Sequence, residues 1–332
     1  MTWQRWSVAW EQALYGPDGF YVRGEVPARH FRTSTHSGDA LARLVLEVLT
    51  DVDDGLGHPT SLDVVDVGAG GGELLTRLLE LAHDSLRTRL ALTGVDYGPR
   101  PPDLPSSVRW SAEVPRGVLG LLIGNEWLDN VPCHVVARDD AGLLRELEVE
   151  VATGAERLGR PAVVGDDTWC SLWWHLDAGQ RAEVGRDRDR AWAQALTRID
   201  FGCAVAIDYA HTRASRRATL TGFRDGRQVP PVPDRSCDIT AHVALDSCAS
   251  AGEDLTGLPP LLVLQHDVLR AYAMNGSLPA VDLAKTDPAA YVAALQRANH
   301  EAELLDAHGL GGFTWLVQPV GMPMPPRLAA LR

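Results

Sequence analysis

Short apolar runs alternate along the chain with stretches of helical periodicity, which is the pattern of an α/β protein. The run that begins at Ser61 predicts a buried strand of a parallel sheet and leads into a glycine-rich turn. Further strands are predicted at Leu90–Val95, Val118–Ile123, Cys203–Ile207, Leu261–Leu264 and Phe313–Val317. Helices are predicted at about residues 3–14, 38–50, 75–86, 181–198 and 288–308.

The stretch between the predicted strands Val118–Ile123 and Cys203–Ile207 indicates an inserted lobe. Its first part, Cys133–Ala152, alternates between apolar and polar positions around Asp-Asp-Ala-Gly and therefore predicts a hairpin. An arginine-, glycine- and proline-rich stretch at Arg213–Arg235 predicts an exposed loop. The predicted domain division is 1–50, an N-terminal helix and lid segment; 51–132, the cofactor-binding core; 133–200, an inserted hairpin and helical lobe; and 201–332, the C-terminal part of the core with substrate-side loops.

Composition narrows the range of partners. A formal net charge of −13 over 332 residues disfavours nucleic acid and anionic membranes, because phosphate contacts need a basic surface. The charge suits a basic substrate, although an acidic surface that maintains solubility explains it equally well. Five cysteines without a C-x-x-C pair are expected to be reduced thiols in the cytoplasm. No leader and no apolar run of about 18 residues is seen, so no membrane segment is expected.

The turn Asp66–Gly72, DVGAGGG, indicates a nucleotide-binding unit. Glycines at 68, 70 and 72 permit a tight turn close to a ligand, and the next helix offers free N–H groups at its N-terminus. A dinucleotide fingerprint needs glycine where Glu73 stands, so a nicotinamide-dependent oxidoreductase is the weaker interpretation. The spacing D-x-G-x-G-x-G resembles the first motif of class I S-adenosylmethionine (SAM) methyltransferases. A purely structural turn is the remaining alternative.

A second acidic strand end supports the nucleotide interpretation. The strand Leu90–Val95 places Asp96 at its carboxyl end, where an acid can accept both ribose hydroxyl protons. We assign the neighbouring Tyr97, and Asn125 after the next strand, to the same cofactor site. A solvated strand end is the alternative for Asp96.

Ordered blocks along most of the chain resemble the MidA-like methyltransferase family, whose mitochondrial members assist respiratory complex I assembly. They are LYGPDGFY with later R-G and F-x-T-S segments, the glycine motif, GLLIGNEWLDNVP at Gly120–Pro132, AIDYAH at Ala206–His211, ATLTGF at Ala218–Phe223 and DITAHV at Asp238–Val243. The resemblance implies a class I SAM-methyltransferase, Rossmann-like α/β fold with a mostly parallel seven-stranded sheet and an inserted substrate-recognition lobe. It also implies SAM as the cofactor.

Some positions depart from the family pattern. The family segment G-D-F-x-T-S-P-E corresponds here to Arg29–His36, which lacks both acids and the proline. Ala210 and Ala218 stand where the family has glycine, and Asp66 where it usually has glutamate. The loss of two carboxylates from a segment that could close over ligands keeps a second hypothesis open: a SAM-binding assembly or interaction protein without catalysis.

Candidate catalytic side chains follow the strand Val118–Ile123, at the edge where open α/β sheets keep reactive groups. If a helical turn starts there, Glu126 and Asp129 share a face and form an anionic pocket suited to a planar guanidinium. The family resemblance implies protein arginine N-methylation, with Glu126 holding the guanidinium and Asp129 beside it. A helix cap at Asn125 with a turn ending before Pro132 is the structural alternative, and a small-molecule methyltransferase is the functional one.

Substrate-binding candidates lie at the end of the strand Cys203–Ile207. Asp208 and Tyr209 should face the same cleft, and His242 is assigned to the substrate side with them. A lone histidine is more often a hydrogen-bonded structural group, so that interpretation of His242 stays open. The expected partner is an arginine-containing protein, no metal is expected, and a homodimer is left open.

Overall fold

The centre of the structure is a mixed sheet of seven strands, seen in a computed structural model that describes residues 2–23 and 39–332. Its strands are, in spatial order, β14 (Leu261–Leu264), β15 (Thr314–Val320), β10 (Ile199–Asp208), β5 (Val118–Asn125), β2 (Leu62–Val67), β3 (Leu90–Val95) and β4 (Arg109–Ser111). Neighbouring strands from β10 to β4 are parallel, whereas β15 runs antiparallel to both β10 and β14. The α/β architecture predicted from the alternation of patterns is therefore present.

Helices cover both faces of this sheet, because its central strands β2, β5 and β10 are buried along most of their length. The helices are α1 (Trp6–Tyr15), α2 (Ala40–Gly55), α3 (Glu73–Leu81), α4 (Asp84–Arg87), α5 (Val164–Trp173), α6 (Arg186–Leu196), α7 (Leu245–Thr256), α8 (Gln265–Ala271), α9 (Leu283–Thr286), α10 (Pro288–Leu305) and α11 (Pro326–Ala329). Leucines of α2, α3 and α8 fill one face, and α6 and α7 pack on the other. Among the described residues, no helix combines the length and apolar character needed to cross a bilayer.

A second, antiparallel sheet is built mainly from the segment that follows β5 in the chain, together with one N-terminal strand. It consists of β1 (Trp3–Arg5), β6 (His134–Arg138), β7 (Leu144–Glu150), β8 (Glu156–Pro161) and β9 (Arg181–Val184). The hairpin predicted at Cys133–Ala152 is found as β6 and β7. Because β1 pairs with β7, the N-terminal segment packs onto the inserted segment and shares an apolar core with it.

Three predicted helices are shorter than expected or divided. Arg181–Val184 forms strand β9, because it pairs with β6, and the helix starts only after Gly185. The chain turns to extended backbone at Ala82, which divides the predicted helix at 75–86 into α3 and α4. The predicted N-terminal helix also begins later, since Trp3–Arg5 is a strand.

The predicted exposed loop at Arg213–Arg235 contains a hairpin. Its strands β11 (Thr221–Arg224) and β12 (Arg227–Val229) flank Asp225 and Gly226, which both have positive φ, the geometry of a type I′ turn. A third strand, β13 (Asp238–Thr240), pairs with β11. This small sheet brings the DITAHV segment towards the end of β5.

Candidate functional site

A cleft of about 800 Å³ lies at the carboxyl ends of β2, β3 and β5. Its walls come from the turn after β2, the loops after β3 and β5, and the α6 helix. Glu11, Tyr15 and Tyr21 from the N-terminal segment form a further wall. None of these three residues was predicted for the site from the sequence, although the LYGPDGFY motif contains two of them.

The glycine turn leaves room for a ligand at the base of this cleft. Gly68, Gly70 and Gly72 all have positive φ, at 75°, 55° and 75°. A Cβ on Gly70 would meet no atom within 4 Å, so the turn presents bare backbone to open space. Gly72 caps α3 without a side-chain hydrogen bond, which leaves the helix N-terminus to other acceptors.

Asp96 links the glycine turn to the loop after β3. One carboxylate oxygen, Oδ2, accepts a hydrogen bond from the Gly70 amide at 2.9 Å, and Oδ1 accepts one from Gly98 at 2.8 Å. A carboxylate oxygen has a second lone pair, so both can still accept hydrogen bonds from ligand hydroxyls. Beside Asp96, Tyr97 is 72% exposed, and its ring centroid lies 5.2 Å from that of Tyr15. Both side chains line the cleft.

The pKa of the buried Asp66 depends on the charges around the base of the cleft. Asp66 is buried near the end of β2, and burial, followed by the charges of Asp96 and Glu73, raises its pKa to about 7. A cation bound nearby would favour the ionised form and lower that pKa. The environment of Asp66 therefore suits a ligand that carries an ammonium or sulfonium group.

Glu126 is held towards the cleft by its own backbone. It lies in the left-handed region with φ of 53°, and its amide donates to the Ile207 carbonyl at 2.8 Å. The buried Asn125 side chain donates to Glu126 Oε1 at 3.3 Å. Only after this kink does a short 3-10 helix, Leu128–Asn130, begin. The predicted helical turn with Glu126 and Asp129 on one face is therefore not formed. Glu126 lines the cleft, whereas the side chain of Asp129 is buried.

Asp129 and Asp208 form a buried carboxyl pair behind the loop after β5. Asp129 accepts hydrogen bonds from the Asn130 side chain at 3.1 Å and from the Thr240 hydroxyl at 2.9 Å. Asp208 accepts one from the Leu128 amide at 3.1 Å and is fully buried. Burial raises the pKa of both carboxyls, and the charge of Asp129 raises that of Asp208 further. Both acids support the loop that carries Glu126.

Arg188, which the sequence analysis missed, joins two loops at the same place. This buried α6 side chain donates to the carbonyls of Asp129 at 2.6 Å and Val131 at 3.1 Å. It also donates to the carbonyls of Ala241 at 3.0 Å and His242 at 2.8 Å. Its charge favours ionisation of the nearby carboxyl pair. In sequence it looks like one of several arginines in RDRDR, and nothing local distinguishes it.

Tyr209 and His242 lie next to each other on the other side of this loop. Their ring centroids are 5.6 Å apart, and Tyr209 also contacts Phe313 at 4.1 Å. Burial lowers the pKa of His242 to about 4, so the imidazole is neutral at physiological pH. The pKa of Tyr209 is raised, first by burial and then by the charge of Glu126. The structure thus brings Tyr209 into the electrostatic range of Glu126.

The N-terminal wall contributes two tyrosine hydroxyls. Tyr15 donates to the Asn130 carbonyl at 3.1 Å, and Tyr21 donates to Asp238 Oδ1 at 2.9 Å. Their rings stack with centroids 5.7 Å apart. Asp238 was quoted in a family motif but was not assigned to the site. The segment Arg29–His36, whose altered acids were noted in the sequence, lies outside the described residues.

Three potential metal ligands meet in the second sheet, away from the cleft. His134, Glu146 and Asp166 have ligand atoms within 4.8 Å of one another. Arg186 pairs with Asp166 at 2.7 Å, and Arg160 pairs with Glu146 at 2.8 Å. Because these arginines neutralise the charges of the two carboxylates, we interpret the group as an ion-pair network and not as a metal site.

Comparison with known proteins identifies the family. No curated protein matches the chain. Residues 40–263 match the model of a family described as "Putative S-adenosyl-L-methionine-dependent methyltransferase". The match covers the glycine turn and the loops after β3 and β5. The chain belongs to this family. The resemblance found in the sequence blocks is thereby confirmed, and the cofactor of this methyltransferase is SAM.

Solved structures share the fold of this methyltransferase. A crystal structure of a COG1565 superfamily member from Burkholderia thailandensis bound to S-adenosyl-homocysteine is 24% identical, with a TM-score of 0.77. The alignment covers 96% of this chain and 88% of that chain. A native crystal structure of a COG1565 superfamily protein from the same organism has the same identity and coverage and a TM-score of 0.74.

The residues of the cleft fit SAM. The positive-φ glycines leave open space at the turn, and Asp96 retains acceptor capacity for ribose hydroxyls. SAM supplies an activated methyl group on a sulfonium. The methyltransferase must supply the binding surface, and four acids line the cleft: Glu11, Asp96, Glu113 and Glu126.

Proposed function

We propose that this methyltransferase transfers a methyl group to the guanidinium of a protein arginine. The observation that carries the proposal is the placement of Glu126, whose kinked backbone and Asn125 contact direct a carboxylate towards the cofactor cleft. A guanidinium is planar and always charged, and it matches carboxylate geometry closely. The net charge of −13 also supports a cationic protein substrate.

Glu126 would act by holding and orienting the acceptor. A guanidinium nitrogen attacks the methyl carbon, the bond from that carbon to sulfur breaks with its electron pair on sulfur, and the nitrogen then loses a proton. A carboxylate that accepts the N–H bonds keeps the guanidinium close to the cleft and stabilises its charge. Such positioning and electrostatic effects dominate transfer reactions of this kind.

The test is to identify the methylated group. We expect methyl-labelled SAM, incubated with the protein and a protein extract, to give labelled methylarginines after acid hydrolysis. Glu126→Gln should lower the rate of transfer by about 100-fold, because it removes the charge that holds the acceptor. Its affinity for S-adenosylhomocysteine should stay within about twofold, since Glu126 is assigned to the acceptor side.

Glu253→Gln is the matched control, because Glu253 is exposed on α7 and undergoes the same chemical change. It should retain full transfer. Label confined to small molecules would contradict the protein substrate, and label on a residue other than arginine would contradict the guanidinium acceptor. Cofactor binding without any transfer would favour an assembly or interaction protein.

A further inference from the structure

The acceptor pocket needs a second carboxylate, and Asp129 is already occupied. A guanidinium offers five N–H donors on two edges, which one carboxylate alone does not satisfy. Both oxygens of Asp129 accept hydrogen bonds inside the protein, from Asn130 and Thr240. The partner of Glu126 must therefore come from another segment.

Asp238 adjoins the cleft through Tyr21 and lies near enough to Glu126 for that charge to raise its pKa. It is the first residue of β13 and is fully buried, and its Oδ1 accepts the Tyr21 hydroxyl at 2.9 Å. Its other oxygen, Oδ2, is also buried, and none of the residues that the structure describes donates a hydrogen bond to it. Buried carboxylate oxygens are nearly always satisfied, so this one indicates a donor supplied from outside. Tyr21 itself lines the cleft.

Arg188 fixes the spacing between the two acids. It bonds carbonyls of the loop after β5, which carries Glu126, and carbonyls of the segment after β13, which follows Asp238. Both segments are therefore held by the same rigid group, the guanidinium of Arg188. Two carboxylates on separately anchored segments can meet the two edges of one planar cation.

We infer that Asp238 is the second carboxylate of the acceptor pocket, where it binds the guanidinium together with Glu126 while Tyr21 holds its other oxygen. This inference rests on the proposed function, because it names the groups that recognise the same substrate. It also explains why the N-terminal wall is part of the site: Tyr21 positions the acid through which the substrate is held.

Binding should depend on pH, because Asp238 is buried among other ionisable groups. Burial, together with the charges of Asp129 and Glu126, raises its pKa to about 7, while the Tyr21 hydrogen bond lowers it. Tyr15 also faces Asp238. A guanidinium favours the ionised carboxylate and lowers its pKa in the complex. The affinity for a guanidinium should therefore increase from pH 6 to pH 8.

The experiment is a calorimetric titration with N-acetyl-arginine methylamide in saturating S-adenosylhomocysteine. The wild type should bind the probe, and Asp238→Asn should weaken binding at pH 8 by at least about tenfold. Asn has nearly the same volume, and the thermal unfolding midpoint checks that the variant is folded. Asp234→Asn is the matched control, since Asp234 is exposed four residues earlier, and it should bind like wild type.

Tyr21→Phe provides a second test that does not remove the acid. Without the hydroxyl, the pKa of Asp238 should rise, so the pH at which half-maximal affinity is reached should move upwards while binding at high pH is largely retained. Loss of binding in Glu126→Gln but not in Asp238→Asn would overturn this inference and leave the proposed function standing. A wild type that does not bind the probe at any pH would overturn both.

Discussion

Gly70 illustrates how the cofactor site is built from backbone rather than side chains. Its φ of 55° is a conformation in which a side chain is strained, and the direction of its absent Cβ is open space. Its amide donates to Asp96, so the turn and the acid are positioned together. The spacing of the glycines in the sequence was sufficient to predict this turn.

Gly70→Ala should weaken S-adenosylhomocysteine binding by about tenfold, because a methyl group would occupy space next to the ligand and strain the turn by about 1 kcal/mol. Gly142→Ala is the control: Gly142 also has positive φ and an empty surrounding, but it lies in the β6–β7 turn. Calorimetry on both variants separates the effects. Equal affinities in the two variants would contradict a ligand at Gly70.

Other site residues could not be assigned from local sequence. Arg188 bonds the Asp129 carbonyl, 59 positions away, and the His242 carbonyl, 54 positions away. The motif blocks marked Asp208 and Asp238 alike. Only tertiary packing shows that Asp208 supports the loop after β5 from behind through the Leu128 amide, whereas Asp238 accepts a hydrogen bond from Tyr21, a residue that lines the cleft.

At the scale of elements, periodicity predicted the strands well because they are buried on both faces and read as continuous apolar runs. The errors occurred where pairing with distant residues decides the structure, as in β9, which is a strand because β6 lies next to it. The β11–β12 hairpin carried a local signal, Asp225-Gly226, that the arginine-rich composition obscured.

The central sheet requires two glycines that face each other. Gly202 in β10 is in register with Gly120 in β5, and their φ values are 151° and 145°. A Cβ on Gly202 would collide with the Gly120 backbone. This contact lies beside the bulge near the start of β10.

Gly202→Ala should therefore lower the free energy of unfolding by about 3 kcal/mol or more, since backbone atoms cannot move aside as a side chain can. Urea unfolding followed by circular dichroism measures the change. Gly142→Ala, with positive φ but no neighbouring atom within 4 Å, should cost only about 1 kcal/mol. Equal losses of unfolding free energy in the two variants would contradict a steric clash between the strands at Gly202.

At the scale of the whole molecule, the α6 helix connects the inserted segment to the cleft and to the loops after β5 and β13. Ala191, Gln194 and Ala195 of α6 line the cleft, and Arg188 on the same helix clamps the two acid-bearing segments. The helix also packs on α7 against the central sheet. Through these contacts, α6 connects the inserted lobe to the core.

Arg188→Met should lower the free energy of unfolding by about 3 kcal/mol, because carbonyls and a carboxyl pair lose their buried cation. Arg190→Met is the control, since Arg190 is exposed on the same helix and pairs only with Asp187 in the described structure. Chemical denaturation compares the two. An Arg188 variant as stable as the Arg190 variant would refute the role of Arg188 as the clamp.

The central claim is that the cleft at the ends of β2, β3 and β5 binds SAM. The most direct measurement is calorimetric titration of the purified protein with S-adenosylhomocysteine and, separately, with NAD. The account predicts one-to-one binding of S-adenosylhomocysteine and none of NAD, because Glu73 replaces the third glycine of the dinucleotide fingerprint. Binding of NAD alone, or of neither compound at millimolar concentration, would contradict it.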